Sequence, residues 1–78
     1  MVKIDVELWA YLNQYAPGGQ KSFQMEFERD MTIDSLLASL GIPSDIQKVI
    51  LVNGHQAKPE TALADGDTVI IFPPTDGG

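Results

Sequence analysis

Val2, Ile4, Val6 and Leu8 alternate with Lys3, Asp5 and Glu7. A side-chain period of two sends the first set to one face of a strand and the second set to the other, so a half-buried strand opens the chain. Phe23, Met25 and Phe27 repeat the alternation against Ser22, Gln24, Glu26 and Glu28, which predicts a second strand, antiparallel to the first and ended at Arg29-Asp30. Between them, Ala10 to Lys21 mixes Tyr11, Leu12 and Tyr15 with Asn13, Pro17, Gly18 and Gly19. That mixture reads as a partly packed loop, anchored by Tyr11 and Tyr15 and closed by a Pro-Gly-Gly turn.

After Thr32 the period lengthens to that of a helix, with Ile33, Leu36, Leu37 and Leu40 at i, i+3, i+4 and i+7. Thr32 offers a hydroxyl N-cap, Asp34 lies in the first turn where the helix dipole favours a carboxylate, and Met31 is placed to staple onto Leu36. Gly41 supplies a left-handed C-terminal cap and Pro43 prevents continuation. Val49 to Val52 is a third strand, stopped by the hairpin signal Asn53-Gly54. A short return strand is expected at Gln56 to Lys58, then a single turn at Glu60 to Leu63. Asp65-Gly66-Asp67 turns the chain into Thr68 to Phe72, a continuous apolar run that suits a central strand.

The order is therefore strand, strand, helix, strand, short strand, strand: an α+β chain with a mixed sheet of four to five strands and one main helix on one face. The amphipathic first strand and the apolar last strand are expected to pair in parallel at the sheet centre, with the helix crossing over them. That topology rests as much on the family resemblance given below as on the patterning. Parity and helical spacing assign Ile4, Val6, Phe23, Phe27, Ile33, Leu36, Leu37, Leu40, Leu51 and an alternate pair of the last strand to the core. The same parity points Trp9 away from it. If the strands are parallel neighbours, Trp9 and Phe72 meet where the last strand ends, a candidate apolar platform for a partner. The alternative is that Trp9 folds back under the segment from Tyr11 to Tyr15 and completes the core.

Beyond Phe72, Pro73 and Pro74 cannot donate to a ladder, so pairing is expected to end there and a tail, residues 73–78, to leave the 1–78 domain stiffly. The six residues from Pro73 to Gly78 reach at most roughly 20 Å when extended. Gly77-Gly78 carries no side chain, and such a stem threads a channel that any Cβ would block.

Asp65-Gly66-Asp67, the strand Thr68 to Phe72, Pro73-Pro74 and the closing Gly77-Gly78 resemble the ubiquitin-like sulfur carriers of the MoaD/ThiS family. The Phe-Pro-Pro-x-x-Gly-Gly ending resembles MoaD, the small subunit of molybdopterin synthase, more than ThiS, the sulfur carrier of thiazole synthesis. Leu8-Trp9-Ala10, Val52-Asn53-Gly54 and the overall length extend the likeness more loosely over the chain. The resemblance implies a β-grasp fold and a carrier that is a cosubstrate rather than an enzyme. A ubiquitin-activating-type enzyme would adenylate the carboxylate of Gly78 with ATP and magnesium that it binds itself. Sulfur would then replace the nucleotide, and the thiocarboxylate would enter a sulfur-acceptor synthase, the molybdopterin synthase large subunit for a MoaD-like chain. The segment Gly41 to Lys48 is shorter than in MoaD and Asp76 stands where that family carries a small residue. Thiazole synthesis for thiamine therefore stays open as a destination. So do a ubiquitin-like modifier, whose activated carboxyl forms an isopeptide bond to lysine, and a β-grasp binding module without tail chemistry.

Composition narrows the remaining classes. A chain of 78 residues buries only about 60% of its unfolded surface, which leaves little room for an internal catalytic cavity. Five Lys and Arg against eleven Asp and Glu give a net charge of −6, which repels phosphate backbones and favours a basic protein partner over nucleic acid. Without cysteine there is no disulfide, thiol nucleophile or iron–sulfur ligation, so a carrier of sulfur must receive it from a partner. No apolar run reaches membrane length and no secretory pattern opens the chain, so no membrane role is expected and the cytoplasm is the default location. His55 after Asn53-Gly54 reads as an exposed hairpin residue, and Asp65 and Asp67 as turn formers; neither pattern completes a metal site. What remains is the α-carboxylate of Gly78, a poor electrophile because its reference pKa of about 3.5 leaves it ionised at neutral pH.

Overall fold

The computed structural model describes residues 1–29, 31–43 and 45–74. The opening alternation is β1, Val2–Leu8, with Val2, Ile4, Val6 and Leu8 buried and Lys3 and Asp5 exposed. It pairs antiparallel with β2, Ser22–Phe27, in a register that sets Val6 opposite Phe23 and Ile4 opposite Met25. Two 3₁₀ segments, Ala10–Tyr15 and Pro17–Gly19, connect them. Of the two expected tyrosine anchors, Tyr15 is half-buried and packs against the core, whereas Tyr11 is corrected: it is 52% exposed, and the fully buried Leu12 and nearly buried Ala16 hold the segment instead. A helical segment projects its apolar residues by three or four positions, which turns Leu12 and Ala16 inward together and leaves Tyr11 outside.

Helix α1, Ile33–Leu40, begins as its cap predicts: Thr32 Oγ1 accepts from the Ser35 N–H at 3.2 Å. It ends on Gly41, whose φ of 78° is the left-handed conformation a Cβ would strain. The first helical amides have partners that sequence spacing does not reveal. Ile33 N–H donates to the Thr61 carbonyl and Asp34 N–H to the Pro59 carbonyl, each at 2.9 Å. That contact comes from a small second sheet in which β3, Met31–Thr32, pairs antiparallel with a later strand, Ala62–Leu63. The expected single turn at Glu60 to Leu63 is thus partly strand, because Leu63, 1% exposed, enters the core only if its backbone runs beside Met31.

The main sheet continues with β4, Val49–Val52, and β5, His55–Gln56, joined by the Asn53-Gly54 turn. The return strand sits earlier than expected, at 55 rather than 56, because a two-residue turn places Val52 directly opposite His55. With Ala62–Leu63 as β6, the last strand is β7, Thr68–Phe72. The five strands lie in the order β2-β1-β7-β4-β5. β7 is in the middle, parallel to β1 with Val6 beside Val69 and antiparallel to β4 with Ile50 beside Ile71. This is the β-grasp arrangement, α+β with one helix over a mixed five-stranded sheet.

The core lies between that helix and the sheet. Ile33 and Leu36 from α1 are fully buried, as are Leu8, Val69 and Ile71 from the strands beneath. Leu51 is a second correction: it is half-buried on the opposite face, and Ile50 takes the core position. An uninterrupted apolar run has no alternation to assign parity, so only the β7 register, Ile50 to Ile71, decides it. Phe23, Phe27 and Leu40 pack on the core without being fully covered. Among the described residues, no helix is long and apolar enough to cross a membrane.

Candidate functional site

The central strand and its neighbours converge on the end where β7 stops. β1 ends at Leu8, but Trp9 stays extended and its backbone N–H donates to the Ile71 carbonyl at 3.0 Å. The alternation therefore runs one residue past the strand and sends the indole to the face away from α1. There the Trp9 ring lies 5.8 Å from the Phe72 ring, the two tilted at 43°. Trp9 is 43% exposed, so the alternative in which it folds into the core does not occur.

The indole is held on its other sides as well. Trp9 Nε1 donates to Glu7 Oε1 at 2.7 Å, Lys21 Nζ stands 4.9 Å from the ring centroid, and Lys21 and Glu7 are 3.7 Å apart. Lys21 is open to water and Glu7 partly so, which reduces the cation–π contact to about 0.5 kcal/mol and the ion pair to about the same or less. Their joint effect is geometric, because three contacts hold one rotamer of a large, amphipathic ring. A ring already ordered has less side-chain freedom to lose when a partner covers it.

Around this pair the outer face is apolar. Val49 lies opposite Phe72 and Leu51 opposite Ile70, and all four are half-buried. Pro73 is half-buried and Pro74 exposed. Sequence reading singled out Trp9, Phe72, Pro73 and Pro74 here, and the structure brings Trp9 and Phe72 together. It did not find Val49, Ile70 and Leu51, nor the clamp of Glu7 and Lys21. The signal for the first three lies in register, and for Lys21 in the antiparallel pairing that returns it to the end of β1. Gly77 and Gly78 lie outside the described residues.

The other end of β7 is tied down by polar contacts. Asn53, at a φ of 53°, donates from Nδ2 to Asp67 Oδ1 at 2.8 Å and accepts at Oδ1 from the Thr68 N–H at 2.9 Å. Asp67 Oδ2 accepts from the Ala64 N–H, and Asp65 Oδ1 from the Lys3 N–H, each at 2.8 Å. The two aspartates thus serve the turn, fastening β4, β1 and the approach to β7. His55 is exposed on β5. No group of three or more His, Asp or Glu suited to a metal occurs among the described residues.

Comparison with solved structures finds the same fold in small proteins of several kinds, among them molybdopterin-converting factor subunits, archaeal modifiers and a thiamine biosynthesis protein ThiS. A putative molybdopterin converting factor subunit 1 from Pyrococcus furiosus superposes with a TM-score of 0.79 at 25% identity, over 96% of this chain and 100% of that one. Small archaeal modifier protein 1 from Haloferax volcanii gives 0.77 at 25% identity, over 96% and 100%. In a complex of subunits 1 and 2 of the molybdopterin-converting factor from Helicobacter pylori, the matching chain gives 0.65 at 20% identity, over 99% and 100%. No curated protein matches the sequence significantly. These neighbours agree with the resemblance to ubiquitin-like sulfur carriers read from the tail. The family model described as Mut7-C ubiquitin matches residues 1–77, nearly the whole chain, and the chain belongs to that ubiquitin-like family.

Proposed function

We propose that this protein is a sulfur carrier whose Gly78 carboxylate is activated as an adenylate and converted to a thiocarboxylate. The observation that carries the reading is the root of the tail. The central strand β7 leaves its last ladder pair, Val49 with Phe72, directly into Pro73-Pro74 and the Gly77-Gly78 sequence, beside an apolar platform with an ordered Trp9. Such a layout separates gripping from chemistry. A partner holds the rigid outer face while the side-chain-free stem enters its active site.

In the proposed reaction, a carboxylate oxygen of Gly78 attacks the α-phosphate of ATP and pyrophosphate leaves. Sulfide delivered by a partner then attacks the carbonyl carbon, the bond to AMP breaks, and Gly78 is left as the thiocarboxylate. ATP and magnesium belong to the adenylating enzyme, of ubiquitin-activating type. The acceptor is a synthase large subunit. The Pyrococcus furiosus neighbour supports a molybdopterin role, and the Helicobacter pylori complex offers a precedent for such a fold joined to a second subunit. A second reading has its own support in the Haloferax volcanii modifier: the same activated carboxyl transferred to a lysine amine.

Intact mass of the protein recovered from its native cells tests both. The carrier reading expects a polypeptide ending at Gly78 with one oxygen exchanged for sulfur. A branched conjugate through Gly78 would replace it with the modifier reading, and a polypeptide continuing beyond Gly78 would remove both.

A further inference from the structure

We infer that β2 is a second docking site, which takes an extended strand of a partner protein and adds it to the sheet. In the order β2-β1-β7-β4-β5 the two edges differ. β5 is a two-residue strand followed closely by Pro59, a blunt edge. β2 runs for six residues, Ser22–Phe27, with no proline, and among the described residues no strand pairs with its outer side. Long open edges of this sort are templates for pairing unless something blunts them.

The register shows which groups the edge offers. Leu8 N–H donates to the Lys21 carbonyl at 2.8 Å, which makes Leu8 and Lys21 a hydrogen-bonded pair. Antiparallel pairs alternate, so Phe23, Met25 and Phe27 direct their amides and carbonyls to β1. Ser22, Gln24 and Glu26 direct theirs outward. Side chains alternate too: Phe23, Met25 and Phe27 form a half-buried apolar row on the core face, which ends at the edge uncovered, and Ser22, Gln24 and Glu26 form an exposed polar row on the other. The occupant that fits is an extended segment with apolar residues on one side to lengthen the first row. On its other side it carries polar or basic residues toward Glu26.

A second copy of this chain is a poorer occupant. Its outward-bonding row is again Ser22, Gln24 and Glu26, so no register between two copies sets a cation against Glu26, and each copy carries a net charge of −6. Lys3 is the cross-strand neighbour of Glu26 and Asp5 that of Gln24, while Glu7, Glu28 and Asp65 outnumber Lys21 and Arg29 nearby. β2 is separated from β7 by β1, so a strand bound here leaves the Trp9–Phe72 platform and the tail root open. The inference is independent of the tail chemistry.

The probe is a capped hexapeptide of alternating lysine and valine, titrated at millimolar concentration into the isotope-labelled full chain and followed by amide shifts and hydrogen exchange. The expected result is that the Ser22, Gln24 and Glu26 amides shift and exchange more slowly, and that N-methylating the peptide's pairing amides abolishes the effect. Glu26→Lys should weaken the lysine–valine peptide about threefold, the size of one cross-strand charge pair, and favour a glutamate–valine peptide instead. Because neither the N-methylated peptide nor the surface charge reversal touches the core, a folding defect cannot imitate these outcomes. Shifts confined to Trp9 and Phe72, or binding indifferent to N-methylation, would overturn the inference. So would protection of the β2 amides that grows with protein concentration in the absence of peptide, which would assign the edge to a second copy.

Discussion

Ile70 and Ile71 are neighbours in one strand and the same residue type, yet they belong to different parts of the molecule. Ile71 is fully buried between β1 and Ile50 and faces α1. Ile70 is half-buried on the opposite face, between Glu7 and Leu51. The inner face is closed by the protein itself. The outer face is divided, polar where β1 and β2 carry Lys3, Asp5, Gln24 and Glu26, and apolar where β7 and β4 carry Ile70, Phe72, Val49 and Leu51. Solubility alone does not call for apolar residues there, since β1 and β2 build the same face from polar residues. The contrast separates what holds the fold from what it presents.

The largest effect expected from breaking this division lies outside the sheet. Deleting Gly77 and Gly78 should abolish ATP–pyrophosphate exchange with the cognate adenylating enzyme and leave the denaturation midpoint almost unchanged, because the last ladder pair is at Phe72. Full exchange by the truncated chain would contradict the proposed chemistry. Next, Ile71→Ala should cost about 2–5 kcal/mol in denaturant titration, the range for emptying a close-packed site. Leu37→Ala, from the helix side of the same core, should fall in that range too. Ile70→Ala, one residue from Ile71, should cost about 1 kcal/mol or less because water already reaches it. Equal losses from the two isoleucines would erase the distinction between the faces.

Trp9→Ala sharpens the outer side of the comparison. Stability should stay within about 1 kcal/mol, while binding to the adenylating enzyme, measured by calorimetry, should weaken by about 2 kcal/mol. A large stability loss with unchanged affinity per folded molecule would make Trp9 part of the fold instead. A similarly small effect is expected at Asn53→Gly, which keeps the positive φ but removes both side-chain hydrogen bonds to Asp67 and Thr68. Thermal denaturation should show a loss of about 1 kcal/mol, typical of exposed hydrogen bonds. The platform at the other end of β7 should keep its amide shifts.

What the chain encodes locally was legible without the fold. The alternation in Val2 to Leu8, the cap at Thr32, the left-handed stop at Gly41, the Asn53-Gly54 turn and the proline arrest after Phe72 each depend on a few adjacent residues, because sterics and local hydrogen bonds act over that distance. Even the meeting of Trp9 with Phe72 followed from parity once a parallel β1–β7 pair was assumed. Tertiary structure decided the rest. Val49 to Val52 is apolar throughout, so the choice of Ile50 over Leu51 for the core waited on pairing with β7. Leu12 and not Tyr11 became the anchor because a 3₁₀ path, rather than a loose loop, set its direction. The partners for the first amides of α1 come from Pro59 and Thr61, distant in sequence, and the short strand at Ala62–Leu63 exists because Met31–Thr32 lies beside it. Periodicity reports which side of an element is apolar; only packing decides which element covers that side and which apolar residues are left for a partner.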